Sequence, residues 1–200
     1  MNKRSLHHLW AIIRPIKIWY LSVLLLMFAS VTILALRDNN LTMIKLRQEV
    51  YVADEKNANV EGALQELRKY VYGHMNTDLS TGNEVYPPIQ LKGTYQRLKQ
   101  AEKDRVSQEN ARIYTDAQAY CEQQNPTGFS GRGRVSCIEQ YVTAHGTSER
   151  SIPDAMYKFD FVSARWSPDL AGFSLLASIL MLVLLILRAV AGQVLRSLSR

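Results

Sequence analysis

The hydrophobic positions divide the chain into two long apolar runs and a polar middle. Residues 18–36 are uncharged and mostly apolar, and so are residues 170–187. At about 1.5 Å per residue, each run forms a helix long enough to cross about 30 Å of hydrocarbon. A soluble core helix of this length would carry polar positions at helical spacing, and these runs carry almost none. We therefore predict two transmembrane helices, 18–36 and 170–187.

Three stretches of the polar middle carry apolar residues at helical spacing. The first covers 41–75 and continues upward from the first span, with a break or kink near 54–60 where the pattern weakens. A loop rich in Gly, Asn and Pro follows at 72–90. The second and third helices are predicted at 91–124 and 135–145.

The stretch that precedes the second span alternates apolar and polar residues, which is typical of an extended segment. Its aromatic side chains share one side: Tyr157, Phe159 and Phe161. At the head of the span, Trp166 suits a membrane interface, Ser167 suits a helix cap and Asp169 favours a helix N-terminus. The predicted fold class is mainly α. Two transmembrane helices flank an extracytoplasmic three-helix, bundle-like domain, residues 37–169, which ends in a short extended return segment.

The charge distribution predicts the orientation. All 18 acidic residues lie in 38–169 beside 16 basic ones, whereas the two tails, 1–17 and 188–200, carry seven basic residues and no acidic ones. Short basic tails stay in the cytoplasm, while a long loop translocates largely regardless of its charge. We expect a cell-membrane protein with both tails inside and residues 37–169 outside. The net charge of +6 then reports topology and not nucleic-acid binding.

The first run could instead be a cleaved signal peptide. Its length exceeds the usual apolar stretch of such peptides, and no good small-x-small cleavage site follows it. We expect it to be retained as a signal-anchor.

The only two cysteines, Cys121 and Cys137, enclose a segment rich in Pro, Gly and Ser. Thiols of an exported segment meet an oxidising compartment, where they tend to pair. The redox spacing Cys-x-x-Cys is absent, and a zinc site would need two more ligands, for which only His74 and His145 are available. We predict a structural disulfide that ties the second helix to the third; free thiols and a metal site are the alternatives.

Some residues of the polar middle are candidates for binding a partner. Tyrosine offers a large apolar face with a polar tip, which suits recognition surfaces and equally the edge of a small core. The arginines of "SGRGRV" could hold a phosphate or lipid headgroup, or simply keep a loop soluble. His74 and Asp78 would share a face on a helix and could bind a metal, but Gly73 indicates that the helix ends there. The candidate surface residues are Tyr72, His74, Tyr86, Arg132 and Arg134.

No catalytic signature is present: the sequence has no Gly-x-Ser-x-Gly, no His-Glu-x-x-His and no P-loop. We expect a non-enzymatic binding or scaffolding module of a bacterial cell envelope, without a cofactor. Its expected partners are the lipid bilayer and an envelope protein or a second copy of the chain, and not nucleic acid. The alternatives are a ligand sensor that signals through a separate membrane partner, and a subunit of a secretion, pilus or transport assembly.

The order of span, helical domain and span resembles the input half of bacterial chemoreceptors and sensor kinases. The strings "YVYGHMNTDL", "VYPPIQL" and "RWSPDL" are also similar to uncharacterised small two-span envelope proteins of bacteria. These resemblances imply the two-span topology and carry no functional residues. Unlike the chemoreceptors, the chain is not expected to hold a cytoplasmic output module, because both tails are short.

Overall fold

The structure is a computed structural model. It describes residues 17–79, 86–124 and 131–198, and the side chains of these except at 131–132 and 195–198. The predicted N-terminal tail therefore lies outside the described residues except for Lys17, as does the 80–85 part of the predicted loop.

The described part of the chain is mainly helical, as predicted, and its only sheet is a pair of two-residue strands. The α-helices are α1 (Ile18–Glu55), α2 (Val60–Gly73), α3 (Lys92–Gln124), α4 (Gly131–His145) and α5 (Leu170–Leu198). The strands are β1 (Ile89–Gln90) and β2 (Lys158–Phe159), and a short 3-10 helix covers Asp154–Met156.

The chain divides into two compact units. The first contains Met1–Val52, Asn59–Pro88 and Asp160–Arg200, and the second contains Ala53–Ala58 and Ile89–Phe159. The polar middle of the chain thus contributes to both units.

The predicted break between α1 and α2 is confirmed. Asn57 adopts a positive φ of 51°, which asparagine tolerates better than most residues. Asn59 then caps α2, because its side-chain oxygen accepts a hydrogen bond from the Gly62 N–H at 3.0 Å. The polar residues that weaken the helical pattern here also supply the turn and the new cap.

Two helices of the first unit are long and apolar enough to cross a membrane, α1 and the Leu170–Val194 part of α5, which indicates a membrane protein. They pack against each other. Buried Thr32 of α1 lies 3.0 Å from Ser174 of α5 between their hydroxyl oxygens. Above this pair, the small residues Ala35 and Ala171 form a buried cluster with Met75. Small residues and hydroxyl pairs are typical of close helix contacts in membranes.

The head of α5 is capped by Asp169, which was expected to favour a helix N-terminus, and not by Ser167. Asp169 Oδ1 accepts the Gly172 N–H at 2.9 Å, whereas Ser167 is buried and its hydroxyl accepts the Met75 N–H at 3.2 Å. The prediction of Ser167 as the cap was wrong because this side chain is engaged in a contact distant in sequence. A Cβ atom on Gly172 would lie 1.8 Å from the Ser167 carbonyl oxygen, so glycine is required there.

In the second unit, α3 and α4 form a hairpin, and the predicted disulfide between Cys121 and Cys137 joins them. Helix α4 begins at Gly131, four residues earlier than predicted. Its face also differs from the prediction: Ile138 and Val142 are half-buried, while Val135 is 64% exposed.

The return segment predicted before the second span is only partly a strand. Lys158–Phe159 pairs antiparallel with Ile89–Gln90, with Ile89 opposite Phe159. The Leu91 N–H extends this ladder by donating to the Tyr157 carbonyl oxygen at 2.8 Å. The pairing joins the residues before α3 to those after the 3-10 helix.

Candidate functional site

Helix α3 is held at its first turn by a carboxylate from the end of α1. Asp54 is buried, and its oxygens accept hydrogen bonds from the Gly93 N–H at 2.8 Å, the Thr94 N–H at 2.7 Å and the Thr94 hydroxyl at 2.6 Å. Arg97 completes the cluster at 3.0 Å. A negative group suits a helix N-terminus, where the N–H groups lack partners within the helix. Asp54 therefore fixes the position of α3 within the second unit.

A second carboxylate fixes an irregular segment along α3. Glu102 accepts hydrogen bonds from Arg105 Nη2 at 2.7 Å, Arg105 Nε at 2.9 Å and the Arg150 backbone N–H at 2.9 Å. The Arg105 guanidinium, followed by the Arg150 N–H, lowers the pKa of Glu102 to about 2. Glu102 is therefore ionised at physiological pH, and its charge holds residue 150 against the helix.

Further contacts fix both ends of this irregular segment, residues 147–157. The Asn110 side chain accepts the Thr147 N–H at 2.9 Å and donates to the Thr147 carbonyl oxygen at 3.1 Å, so it substitutes for a backbone partner. At the other end the ring of Tyr157 packs on that of Tyr95, with centroids 4.7 Å apart. Residues 147–157 are thus anchored to α3 at three places.

Between this segment and α3 lies an open groove of about 450 Å³. Its apolar lining comes from both sides and its charged groups lie close to Glu102. The lining residues are Leu98, Ala101, Glu102, Arg105, Arg150, Ser151, Ile152, Pro153 and Met156. Met156 is 50% exposed, so part of the groove's apolar lining remains accessible to solvent. Apolar surface beside fixed charge is typical of binding sites.

Two of the predicted surface residues, Tyr72 and Tyr86, contact neighbouring residues of one segment in the first unit. The Tyr86 hydroxyl hydrogen-bonds the Asp160 carboxylate, which raises the pKa of Tyr86. The Tyr72 ring meets Phe161 edge-on, with centroids 6.2 Å apart, and the Arg68 guanidinium lies 5.5 Å above its centre. Both tyrosines are exposed.

Of the other three predicted surface residues, two have local partners, and the side chain of the third is not among those described. His74 is half-buried, stacks on Tyr70 at 4.0 Å and places Nδ1 2.9 Å from the Tyr70 carbonyl oxygen, so it belongs to the end of α2. Arg134 forms an ion pair with Glu122 at 2.7 Å in the second unit. The side chain of Arg132 lies outside the described residues. The five candidates are thus spread over both units.

Sequence patterns missed the groove for an identifiable reason. Leu98 and Ala101 belong to the apolar positions at helical spacing in 91–124, and such positions usually pack in a core. The structure leaves Ala101 exposed and covers this part of the stripe only in part, with an irregular segment. The missing signal is the contact between residues about 50 positions apart, which no local periodicity reports.

The sequence matches no protein-family model, and no curated protein or solved structure matches it either.

Proposed function

We propose that this protein is a non-catalytic binding or scaffolding module anchored in a bacterial cell membrane by α1 and α5. The observation that carries the proposal is the open groove on α3, where apolar surface remains accessible beside a fixed charge cluster. Burying such surface against a partner is favourable by about 25 cal/mol per Å². The groove is therefore the best candidate for the place where a partner binds.

The openness of the groove favours a segment of another protein over a small molecule. Small-molecule sites usually enclose most of their ligand. Here the half-exposed Met156 and the exposed Arg150 leave one side of the groove to solvent. Methionine also adapts to irregular apolar partners. An apolar side chain in the groove, with an acidic neighbour near Arg150, fits this chemistry.

The membrane orientation is part of the proposal. The basic tails support a cytoplasmic location for both ends, and the mixed charge of 38–169 suits an exported segment. A disulfide between Cys121 and Cys137 is also what an oxidising compartment produces. The parts of both units that lie in 37–169 would then meet their partners outside the cytoplasm.

The orientation is tested by an impermeant biotin-maleimide on intact cells. After mild reduction, the half-buried Cys137 should react, whereas a cysteine added after Arg200 in a Cys121→Ser/Cys137→Ser background should react only after the membrane is permeabilised. The reverse labelling pattern would exclude the proposed orientation.

Binding in the groove is tested by photocrosslinking in intact cells. With p-benzoylphenylalanine in place of Met156, we expect a discrete adduct with a protein partner. The adduct should disappear when Ala101→Trp fills the groove, because a bulky ring at this exposed position occupies the space next to Leu98. Immunoblotting of the tagged chain measures the adduct.

Ala111→Trp is the matched control, since Ala111 is also exposed on α3 and does not line the groove. This variant should keep the adduct. An adduct that persists in Ala101→Trp would contradict protein binding in the groove. So would the absence of any adduct when the crosslinker stands in place of Met156. Loss of a bound small molecule from the purified protein on Ala101→Trp, without any protein adduct, would favour the sensor alternative.

A further inference from the structure

Three large side chains of the first unit are exposed near the end of α2 and just before α5: Tyr72 by 51%, Val162 by 73% and Trp166 by 47%. Two contacts fix where they lie. The Ala164 N–H donates to the Val71 carbonyl oxygen at 3.3 Å, so the Val162–Trp166 segment runs beside the end of α2. The Trp166 ring meets that of Phe173, in the first turn of α5, edge-on at 6.1 Å.

The position of these side chains relative to the hydrocarbon follows from Met75. This residue clusters with Ala35 and Ala171, each one position inside the outer end of an apolar run. Met75 therefore marks the outer boundary of the hydrocarbon if α1 and α5 span the membrane. The Met75 N–H donates to the Ser167 hydroxyl at 3.2 Å, so the segment that ends at Trp166 lies next to this boundary. The headgroup layer is itself about 5–8 Å deep on each side.

The chemistry of the exposed groups matches that layer. Tyrosine and tryptophan are enriched at membrane interfaces because their rings are apolar and their tips are polar. Two arginines accompany them: the Arg68 guanidinium lies over the Tyr72 ring, and Arg165 is exposed next to Trp166. A guanidinium group binds phosphate strongly through paired N–H donors.

We propose that Tyr72, Val162, Arg165 and Trp166 form a juxtamembrane surface that contacts the headgroups of the membrane crossed by α1 and α5. This inference rests on the proposed membrane anchoring. The part of the first unit outside the membrane then lies directly against the headgroups. Tyr72 contacts lipid, and the groove of the second unit remains for a protein partner.

The test uses single-tryptophan proteins in vesicles of phosphatidylethanolamine and phosphatidylglycerol. Trp10, Trp19 and Trp166 are replaced by Phe, and Val162→Trp supplies the probe at an exposed position. Its emission should be blue-shifted and should be quenched by headgroup-nitroxide lipid about as strongly as that of the protein that keeps only Trp166. Emission at the wavelength of water-exposed tryptophan, without quenching, would overturn the proposal.

Two controls separate this proposal from membrane anchoring itself. Glu49→Trp, at an exposed site on α1 that is about 21 Å along the helix from Ala35, should not be quenched. Leu180→Trp, exposed in the middle of the α5 span, should be quenched by lipid brominated on its acyl chains. If Leu180→Trp is quenched and Val162→Trp is not, only the juxtamembrane surface is wrong. If neither is quenched, the proposed anchoring fails as well.

Discussion

Replacing Asp54 by alanine is expected to lower the free energy of unfolding by about 2–4 kcal/mol, because it removes a helix cap and leaves a cation without its partner. The Asp54 carboxylate accepts two backbone N–H groups, the Thr94 hydroxyl and the Arg97 guanidinium. Alanine satisfies none of them. The side chain of Arg97 is 38% exposed, so water compensates part of its loss and the upper end of this range is a limit.

Glu55→Ala is the matched control for this variant. Glu55 is the next residue and also carries a carboxylate, but it is exposed. Urea unfolding of the full chain in detergent measures the difference, and hydrogen exchange of the Gly93 and Thr94 amides shows where it arises. Equal unfolding midpoints for the two variants would contradict the assigned role of Asp54.

The contribution of Asp54 should also depend on pH in one direction. Burial raises the pKa of Asp54, but hydrogen bonds from Thr94, Gly93 and Arg97 outweigh it, and the pKa lies below the ordinary value of 3.8. A carboxylate with a lowered pKa in the folded state stabilises the protein above its unfolded pKa and loses this effect as pH falls through the folded value. The stability difference between the native protein and Asp54→Ala should therefore be constant at neutral pH and shrink below about pH 4.

Local patterns predicted the elements of this fold more accurately than their contacts. The apolar runs give α1 and α5 because nineteen or so uncharged residues satisfy their backbone only as a helix in lipid. The break before Val60 was predictable because asparagine residues interrupt the stripe there. The start of α4 was not, because glycine and arginine in "SGRGRV" favour a loop locally, whereas the helix begins at Gly131 and its Arg134 pairs with Glu122 of α3.

The candidate site depends on contacts that no periodicity encodes. Asp54 reaches Gly93 across 39 positions, and Glu102 reaches the Arg150 N–H across 48. Each contact joins a helix to an irregular segment or to a helix end, where side chains substitute for missing backbone partners. A sequence shows the carboxylates but not which N–H groups they serve. The disulfide was predictable because only two cysteines are present and the polar middle was expected to be exported.

Removal of that disulfide is expected to cost about 3 kcal/mol of unfolding free energy in the chain-entropy model, given the 16 positions between Cys121 and Cys137. The bond joins α3 to α4, so the unfolded chain gains conformational freedom between the two cysteines when it is absent. Cys121→Ala/Cys137→Ala isolates this effect, because Cys121 is fully buried and a serine would add an unpaired hydroxyl. Urea unfolding of the full chain in detergent measures the loss.

Reductant provides the internal comparison. Dithiothreitol should lower the unfolding midpoint of the native protein to nearly that of Cys121→Ala/Cys137→Ala, and it should leave the double variant unchanged. The loss should appear in hydrogen exchange of α3 and α4 near Cys121 and Cys137 and not at the head of α3, where Asp54 acts. The two effects should therefore add. A native protein that is insensitive to reductant, or a double variant that loosens chiefly around Gly93 and Thr94, would contradict a role of the disulfide confined to this hairpin.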